Sequence, residues 1–274
     1  MPELPEVETI RRDLSARILG AQITSFELYL TKALRNTTEG ELVPQLIGRT
    51  LTGFGRRGKH LIMELSSGAK LVVHLRMTGQ LLVMPQGTPL QKHTTFRMGL
   101  DGGREIHLVD LRKFATVDFL PDGDESTMAA LRTSGIEPLE PGFTREQLGQ
   151  MLAQRRMKLK SWLLDQRFIA GLGNIYADES LFRSGIHPLR PAGSLTEEEV
   201  DRLHQAIIAT LQEAVAAGGS SIRDYRDSRG ERGQFQNQLR VYGRRGEPCP
   251  SCEESIDRIK IGGRSSYYCP RCQR

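Results

Sequence analysis

Hydrophobic positions at the start of the chain recur every three or four residues. They are Leu4, Val7, Ile10, Leu14 and Ile18, and the pattern stops at Gly20. This period is typical of a helix that buries one face. Pro5 fits near the first position of such a helix, where a missing N–H costs nothing. The sequence therefore predicts a buried-face helix that begins near Leu4.

Two other patterns divide the rest of the chain. Between residues 22 and 120, apolar and polar positions alternate in short runs separated by Gly and Pro, as in KLVVHLRM and EIHLVDL. This period of two is typical of an antiparallel sandwich or flattened barrel. From about residue 144 the helical spacing returns, in TREQLGQML, KSWLLDQRF, NIYADESLFRSG and TEEEVDRLHQAIIATLQEAVAAG. We therefore predict an α+β protein, with an N-terminal helix and antiparallel β-sandwich followed by a helical domain.

The same patterns predict three domains. Residues 1–130 hold the first helix and the sandwich, residues 131–237 the helices, and residues 238–274 a cysteine-bearing end. Residues 121–143 are rich in Pro, Gly and acidic side chains, which favours a linker. Residues 218–237 have no period and much Gly, Arg and Ser. Such a segment is either a plain connector or a lid that becomes ordered over a ligand.

Charge and composition limit the class of binding partner and the cellular compartment that the sequence predicts. The net charge of the 274 residues is +5, and residues 218–274 hold 12 Lys and Arg against 7 Asp and Glu. A basic end on a neutral body indicates a polyanion such as nucleic acid, although a solvated cationic tail fits the charge equally well. Neither a signal-peptide pattern nor an apolar run of about 18 residues is present, so we expect a cytoplasmic protein with no membrane partner.

All four cysteines fall at the end of the chain, as two C-x2-C pairs. They are Cys249, Cys252, Cys269 and Cys272. This spacing predicts a four-cysteine zinc site, with disulfides or a redox pair as the alternatives. Between the pairs, Gly262 and Gly263 join two strand-like runs, which predicts a tight hairpin. Arg264 at its tip is placed to bind a phosphate, unless it is only solvated.

The stretch GLGNIYADESLFRSGIHP places a glycine-rich turn before a helix, with Asn174 as its predicted N-cap. Free backbone N–H groups at such a helix start can bind an anion. A capped helix after a turn is also ordinary structure, and the motif alone favours that interpretation. Downstream, GIHP and the acidic TEEE mark the next boundary and predict a helix, two turns and a second helix.

The first residues also carry candidate chemistry. Pro2 is small enough that removal of Met1 is expected, which leaves a proline imino group as the terminus. The positive end of the helix and local burial both favour its neutral, nucleophilic form. A secondary amine forms a cationic Schiff base with a sugar aldehyde carbon, and Glu3 beside it could transfer protons. The alternative is that Pro2 and Glu3 are only a permissive translational start.

Taken together, these motifs resemble the bacterial formamidopyrimidine-DNA glycosylases (8-oxoguanine DNA glycosylases) from end to end. The matching stretches are PELPEVET, GRRGKHLI, HLRMTG, DLRKF, GLGNIYADESLF, VYGR and GRSSYYCPRCQR. The resemblance implies a two-layered β-sandwich, a helix-two-turn-helix domain and a β-hairpin zinc finger with one structural Zn²⁺. It also implies that Pro2 is the nucleophile on C1′ of the damaged nucleotide and Glu3 the general acid. Lys59 would serve β-elimination and phosphate contact, and Arg264 phosphate binding and δ-elimination.

The resemblance further implies a set of DNA contacts. Met77, Arg112 and Phe114 would fill the gap left by a flipped base and face the opposite cytosine. Asn174 would grip a phosphate, and Glu6 would be a structural or base-proximal carboxylate. The other DNA-binding positions implied are His74, His93, Arg155 and Tyr242. The chain departs from the common DPRRF motif at Leu111 and Lys113, which puts the stiffness of that loop in doubt.

The function implied is base-excision repair of DNA by a bifunctional enzyme. Such an enzyme removes oxidised purines opposite cytosine from double-stranded DNA and cleaves the abasic site by β,δ-elimination. We expect it to act as a monomer. One alternative is an endonuclease VIII-type glycosylase for oxidised pyrimidines, although PELPEV argues against the PEGPE start common there. The other is a non-catalytic zinc-ribbon DNA-binding protein, which has no need of Pro2.

Overall fold

The computed structural model describes all 274 residues and contains seven α-helices and ten β-strands. The helices are α1 (Leu4–Ile18), α2 (Glu39–Leu46), α3 (Ala129–Arg132), α4 (Arg145–Leu152), α5 (Leu159–Leu163), α6 (Asn174–Ser184) and α7 (Glu197–Ala216). The strands are β1 (Ile23–Leu28), β2 (Leu51–Arg57), β3 (His60–Leu65), β4 (Lys70–His74), β5 (Gly79–Pro85), β6 (Thr94–Leu100), β7 (Arg104–Asp110), β8 (Thr116–Leu120), β9 (Asp257–Ile261) and β10 (Arg264–Tyr268). The predicted α+β class is confirmed.

The first eight strands form the predicted sandwich of two antiparallel sheets. One sheet has the order β1-β6-β7-β5 and the other the order β2-β3-β4-β8. Side chains from both sheets and from the apolar face of α1 share one buried core, in which Ile10, Leu14, Phe96 and Val73 are almost fully enclosed. Helix α1 therefore covers the sandwich and is fixed by it along most of its length.

Two helices between residues 1 and 132 were not predicted, the one-turn α3 within the predicted linker and the longer α2. Helix α2 lies within the region that alternates like strands, and it contains Pro44. It begins with a capping box in which Thr38 and Glu41 bind each other's backbone N–H groups. Leu42 and Leu46 anchor it in the core. The capping-box spacing was the available signal, and the proline concealed it.

The second half is helical, as predicted, with α6 and α7 joined by two turns. Helix α6 ends at Gly185, whose φ of 72° is the left-handed conformation that stops a helix. Helix α5 is shorter than the stretch KSWLLDQRF suggested. Its end is a turn held by the Gln166 side chain, which donates to the carbonyls of Leu164 and Leu172 and accepts from Gly171 N.

Contacts divide the chain into two units. One comprises residues 1–132 and 217–234, and the other residues 133–216 and 235–274. The boundary at 132/133 lies within the predicted linker, but residues 217–234 pack with the sandwich unit and not with the helical domain to which the sequence assigned them. The reason is a set of hydrogen bonds to α1 described below. None of the helices is both long and apolar enough to span a membrane.

Candidate active site and DNA-binding surfaces

The N-terminal residues are held in a buried, hydrogen-bonded start of α1. Pro2 and Glu3 are both buried, and Glu3 is the N-cap residue. The backbone N–H of Glu3 donates to Glu6 Oε2 at 2.7 Å, and the Glu3 side chain accepts from the backbone of Glu6. This reciprocal capping box fixes the residue that follows Pro2. The terminus is therefore a rigid part of the fold.

Glu6 also joins the helix start to the irregular segment 217–234. Its Oε1 accepts the backbone N–H of Ser220 at 2.7 Å, and its carbonyl accepts the Tyr225 hydroxyl at 3.3 Å. A Cβ on Gly219, which has a φ of 81°, would lie 2.8 Å from Glu6 Oε1, so only glycine permits this approach. Glu6 thus connects the predicted nucleophile to the predicted lid within one unit.

Arg17 makes the second attachment of this segment. Its guanidinium donates to the carbonyls of Ser228, at 3.1 Å, and Val83, at 3.3 Å. Val83 N in turn donates to Ser228 O at 2.9 Å. Ser221 and Ser228 are fully buried. The segment therefore lacks regular structure, as the sequence indicated, yet it is packed against α1 and β5 in this structure.

Lys59 occupies the tight turn between β2 and β3 and is 8% exposed. Gly58, with a φ of 56°, supplies the positive φ that this two-residue turn requires. The Arg56 guanidinium donates to Gly58 O at 3.1 Å and to Glu8 Oε2 of α1 at 3.3 Å. The turn that carries Lys59 is thereby tied to the helix that carries Pro2.

Glu8 is an ionised anchor for this arrangement. It also pairs with Arg11 at 2.7 Å and Arg12 at 2.8 Å. Burial acts to raise the pKa of Glu8, but the hydrogen bonds from Arg11 and Arg12 and the charge of Arg56 prevail and lower it to about 2. The carboxylate is therefore charged at any pH at which the protein would act, and its contribution to stability is lost only as the pH falls from about 4.5 through about 2.

His74, which was predicted to contact DNA, is buried and stacks edge-on against His60 with ring centroids 4.6 Å apart. Its Nδ1 accepts the backbone N–H of Arg76 at 2.9 Å. Burial lowers the pKa of His60 to about 4 and that of His74 to about 2. Both rings are therefore neutral, so His74 can contribute van der Waals contacts and a hydrogen bond but no charge.

Three predicted gap-filling residues meet on the surface of the same unit. Met77 and Phe114 are 42% and 49% exposed, which is unusual for large apolar side chains. Arg112 lies between them, with Nη1 2.7 Å from Met77 Sδ and Cζ 4.8 Å from the Phe114 ring centroid. Leu111 beside them is 60% exposed. The cluster presents an apolar wedge around one cation.

In the helical unit, helix α6 begins one residue earlier than the sequence predicted. Gly173 is the N-cap of α6, and Asn174 is the first helical residue, so the prediction that Asn174 caps the helix is wrong. The extended backbone at Gly173 lets the chain enter the helix there, which frees the Asn174 side chain. Its Nδ2 donates to Ser265 O of the hairpin at 2.9 Å. That nitrogen has a second hydrogen, which remains available to an acceptor such as phosphate.

A fully buried ion pair supports the same contact. Lys160 Nζ lies 2.6 Å from Asp178 Oδ1, and both side chains are wholly enclosed. Lys160 Nζ also donates to Ser265 O at 3.0 Å, and Asp178 Oδ2 accepts Tyr267 N at 3.0 Å. Strand β10 is therefore held against α5 and α6 by an ion pair whose two members both bind its backbone. Enclosed charges cost desolvation and require such partners.

Glu179 fixes the VYGR segment in a similar way. Its two carboxylate oxygens accept the backbone N–H groups of Arg240, Val241 and Tyr242 at 2.8–3.0 Å. The Tyr242 ring meets Tyr267 of β10 edge-on at 5.3 Å. Arg155 is exposed, and its guanidinium lies 5.3 Å from the Phe168 ring. Both predicted contacts are thus on the helical unit, and their DNA binding stays a prediction.

The four cysteine sulfurs form one cluster at the base of the hairpin. All four lie within 4.8 Å of one another, with neighbouring sulfurs 3.3–3.8 Å apart. Sulfurs bound to zinc at about 2.3 Å in a tetrahedron are about 3.8 Å apart, whereas a disulfide requires about 2.05 Å. The four cysteines are free thiols, so the arrangement fits a zinc ion and excludes disulfides in this structure.

The hairpin itself follows the prediction. Gly262 and Gly263 have φ values of 55° and 78°, and Arg264 pairs with Ile261 as the first residue of β10. The Arg264 side chain is exposed at the tip. Phe182 of α6 packs in the same apolar cluster as Cys249 and Cys269. The metal site and the tip are therefore parts of one rigid support.

Sequence models of known families match most of the chain. Residues 1–117 match the formamidopyrimidine-DNA glycosylase N-terminal domain, residues 134–226 the H2TH domain of the same enzymes, and residues 246–274 the zinc finger found in FPG and IleRS. The chain belongs to the formamidopyrimidine-DNA glycosylase family. The zinc-finger match and the four-sulfur cluster together assign one structural zinc ion to the cysteines.

Individual members of the family are similar over their whole length. The formamidopyrimidine-DNA glycosylase of Desulforamulus reducens is 45% identical over 100% of this chain and 99% of its own. The Lactococcus lactis Fpg, solved in a complex with DNA that contains an abasic site, superposes with a TM-score of 0.92 at 38% identity over 99% of both chains. The Thermus thermophilus MutM (FPG) structure gives 0.89 at 40% identity, over 99% of this chain and 98% of its own.

Sequence reasoning did not identify the buried polar residues that support the candidate active site and the DNA-binding surfaces. They are Glu8, Arg56, Asp110, Lys160, Asp178 and Glu179. Each binds a partner distant in sequence, as Lys160 and Ser265 are, so no local spacing reveals it. The only available signal was a charged residue at a position where the helical period expects an apolar one, and Lys160 in the run LKSWLL is such a case.

The guanidinium of Arg264 at the hairpin tip should contribute to the affinity for DNA and to its salt dependence. We expect Arg264→Ala to weaken DNA binding and to flatten its salt dependence by roughly one counterion, because one phosphate contact is lost. Binding isotherms between low and moderate salt measure the slope. Arg258→Ala, on the neighbouring strand β9, is the matched control. An unchanged slope for Arg264→Ala would show that Arg264 does not contact the DNA backbone.

Proposed function

We propose that this chain excises oxidised purines from double-stranded DNA and then cleaves the resulting abasic site. Membership of the formamidopyrimidine-DNA glycosylase family makes it a DNA glycosylase of base-excision repair. Relatives solved with DNA that contains an abasic site or a Fapy-dG lesion support DNA as the substrate. The monomeric state and cytoplasmic location stay predictions.

One observation carries the chemical part of the proposal. Pro2 is buried at the start of a helix whose first turn is closed by the Glu3–Glu6 capping box. The capping box stabilises the helix start, and it also fixes the position of the residue before it. A nucleophile must be held close to its target to benefit from proximity. The imino nitrogen exposed by removal of Met1 is therefore the proposed nucleophile.

The first step forms a bond between Pro2 N and C1′ of the damaged nucleotide. The N-glycosidic bond breaks and its electron pair leaves with the oxidised base, while the proton that the amine loses on bonding to C1′ is balanced by protonation of the released base. Glu3 donates a proton to the sugar ring oxygen, so that the ring opens and a cationic iminium forms. Because the proline nitrogen is secondary, this iminium needs no further proton to become an electron sink.

Elimination follows from the iminium. Loss of a proton from C2′ allows the 3′ phosphate to leave in the β step, and a second elimination expels the 5′ phosphate in the δ step. We assign proton transfer and phosphate contact in the β step to Lys59. Arg264 binds phosphate and serves the δ step, while Asn174 grips the backbone through the second hydrogen of Nδ2.

Base extrusion requires a replacement for the missing stacking. Met77 and Phe114 are exposed apolar side chains, suited to fill the vacancy that a flipped nucleotide leaves. Arg112 between them can hydrogen-bond an orphaned cytosine, because its guanidinium donates and the cytosine edge offers acceptors. We propose that this contact gives the preference for lesions opposite cytosine. Residues 217–234 are proposed to cover the extruded purine.

A lesion panel tests this function against its rivals. Duplexes with 8-oxoguanine opposite cytosine or adenine, thymine glycol opposite adenine, and no lesion are incubated with the purified chain. We expect free 8-oxoguanine and a strand gap that bears phosphates at both ends, fastest opposite cytosine. Preferential release of thymine glycol would favour the endonuclease VIII-type alternative. Tight binding with neither base release nor strand cleavage would leave only the zinc-ribbon alternative.

A further inference from the structure

Asp110 ends strand β7 immediately before the loop that carries Arg112 and Phe114, and its carboxylate is fully buried. Oδ2 accepts the backbone N–H groups of Phe114 and Ala115, each at 2.6 Å. Oδ1 accepts the backbone N–H of Arg112 at 3.2 Å and the hydroxyl of Thr78. Four donors therefore converge on one carboxylate. Three of them are backbone N–H groups of residues 111–115, the wedge loop that carries Arg112 and Phe114.

The backbone of Asp110 makes two further hydrogen bonds, one within this loop and one to His93. Its carbonyl accepts Lys113 N at 3.1 Å, and its own N–H donates to His93 O at 3.0 Å. Lys113 has a φ of 57° and His93 a φ of 71°, conformations that side-chain-bearing residues seldom adopt without support. The loop is therefore bent into a strained form that the hydrogen bonds of Asp110 maintain.

Thr78 connects Asp110 to the part of the wedge that contains Met77. It follows Met77 directly, and its Oγ1 donates to Asp110 Oδ1 while accepting Arg112 N at 3.1 Å. Gly79, the next residue, faces Asp110 across the β5–β7 ladder. The residues that carry Met77 and those that carry Arg112 and Phe114 are thus joined at a single side chain.

We propose that Asp110 is a positioning residue that sets the preference for the base opposite the lesion. It acts by holding Arg112, Phe114 and Met77 in one fixed arrangement. The inference rests on the proposed function, in which Arg112 meets the orphaned cytosine. Residues 111–115 contain no proline that would stiffen the backbone, so the hydrogen bonds of the carboxylate supply the order of this loop.

A carboxylate is the only side chain of this size that satisfies all four donors, because both of its oxygens only accept. In Asp110→Asn, one oxygen becomes an NH2 group, which would point at an N–H whichever way the amide is turned. The loop would then relax, and Arg112 would lose its fixed direction. Discrimination by a well-placed hydrogen-bonding side chain is worth about 1–3 kcal/mol, which is roughly a 5- to 150-fold difference in rate.

The test is the ratio of single-turnover base release from 8-oxoguanine opposite cytosine and opposite adenine. We expect Asp110→Asn to reduce this ratio by about fivefold or more. Strand cleavage at an abasic site in single-stranded DNA, which has no opposite base, should change much less. Thr78→Val removes one donor and one acceptor and should reduce the ratio by a smaller factor. Thr78→Ser keeps the hydroxyl and should restore the wild-type ratio.

Glu105→Gln is the matched control, since Glu105 is a buried carboxylate at the other end of the same strand. It should lower the melting temperature without changing the ratio. An unchanged ratio in Asp110→Asn and in Thr78→Val would overturn the inference, as would equal losses in Glu105→Gln. If Asp110→Asn does not fold, the two Thr78 variants decide. A wild-type protein with no preference for cytosine would instead refute the proposed reading by Arg112, and the inference with it.

Discussion

Pro2→Gly should abolish strand cleavage at 8-oxoguanine and slow base release on the order of a thousandfold or more, as expected when a covalent nucleophile is removed. Glycine leaves a primary amine, whose Schiff base is cationic only after protonation. It also lacks the ring that fits the buried position before Glu3. Single-turnover assays of base release and strand cleavage measure the loss, and DNA binding to an uncleavable abasic analogue should be kept.

Pro5→Ala is the matched control for this variant. Pro5 lies in the first turn of α1, where its role is to start the helix. We expect activity close to that of the wild type and a change in the free energy of unfolding of no more than about 1 kcal/mol. A chain with an uncleaved extension before Pro2 should behave like Pro2→Gly. Full activity in the extended chain would contradict a terminal amine as nucleophile.

Removal of zinc should greatly weaken DNA binding while the sandwich remains folded. At the base of the hairpin the cysteines pack in one small apolar cluster with Phe182, Val241 and Ile256. A unit this small folds only with its metal. Without it, β10 loses the frame that presents Ser265 O to Asn174 and Lys160, and Arg264 loses its fixed position. The affinity should fall by roughly two orders of magnitude, because several phosphate contacts are lost together.

A chelator titration measures this effect. About one zinc per chain should be released, and the DNA affinity should fall in parallel. The far-ultraviolet signal of the sandwich should change little, since that unit has its own core. Restoring Zn²⁺ should recover binding, whereas Mg²⁺, which prefers oxygen ligands, should not. Full DNA affinity in the metal-free protein would refute a supporting role for the zinc.

The features that the sequence predicted correctly depend on short spacings. The apolar period of α1, the alternation of the strands, the two C-x2-C pairs and the Gly262-Gly263 turn are each complete within about 20 residues. Local spacing reports which side of an element faces the core, so these elements and their class could be read without a structure. The resemblance to a family then named the residues with chemistry.

The features that the sequence did not predict depend on partners distant in the chain. Residues 217–234 join the sandwich unit because Glu6 and Arg17, some 200 residues earlier, bind them. Glu179 cannot be distinguished from a surface acid until its backbone donors, some 60 residues later in the chain, are known. Asn174 was misplaced by one residue because the extended backbone at Gly173 begins the helix, and cap preference alone cannot resolve such a shift.

The identity of the residue that carries the sugar adduct tests the central claim most directly. The chain is incubated with 8-oxoguanine duplex and borohydride, digested with trypsin, and the adduct is located by mass spectrometry. We predict that the sugar remnant is on the peptide from Pro2 to Arg11, at the proline nitrogen. An adduct on Lys59, which would block cleavage there and leave a peptide from Gly58 to Lys70, would contradict the account.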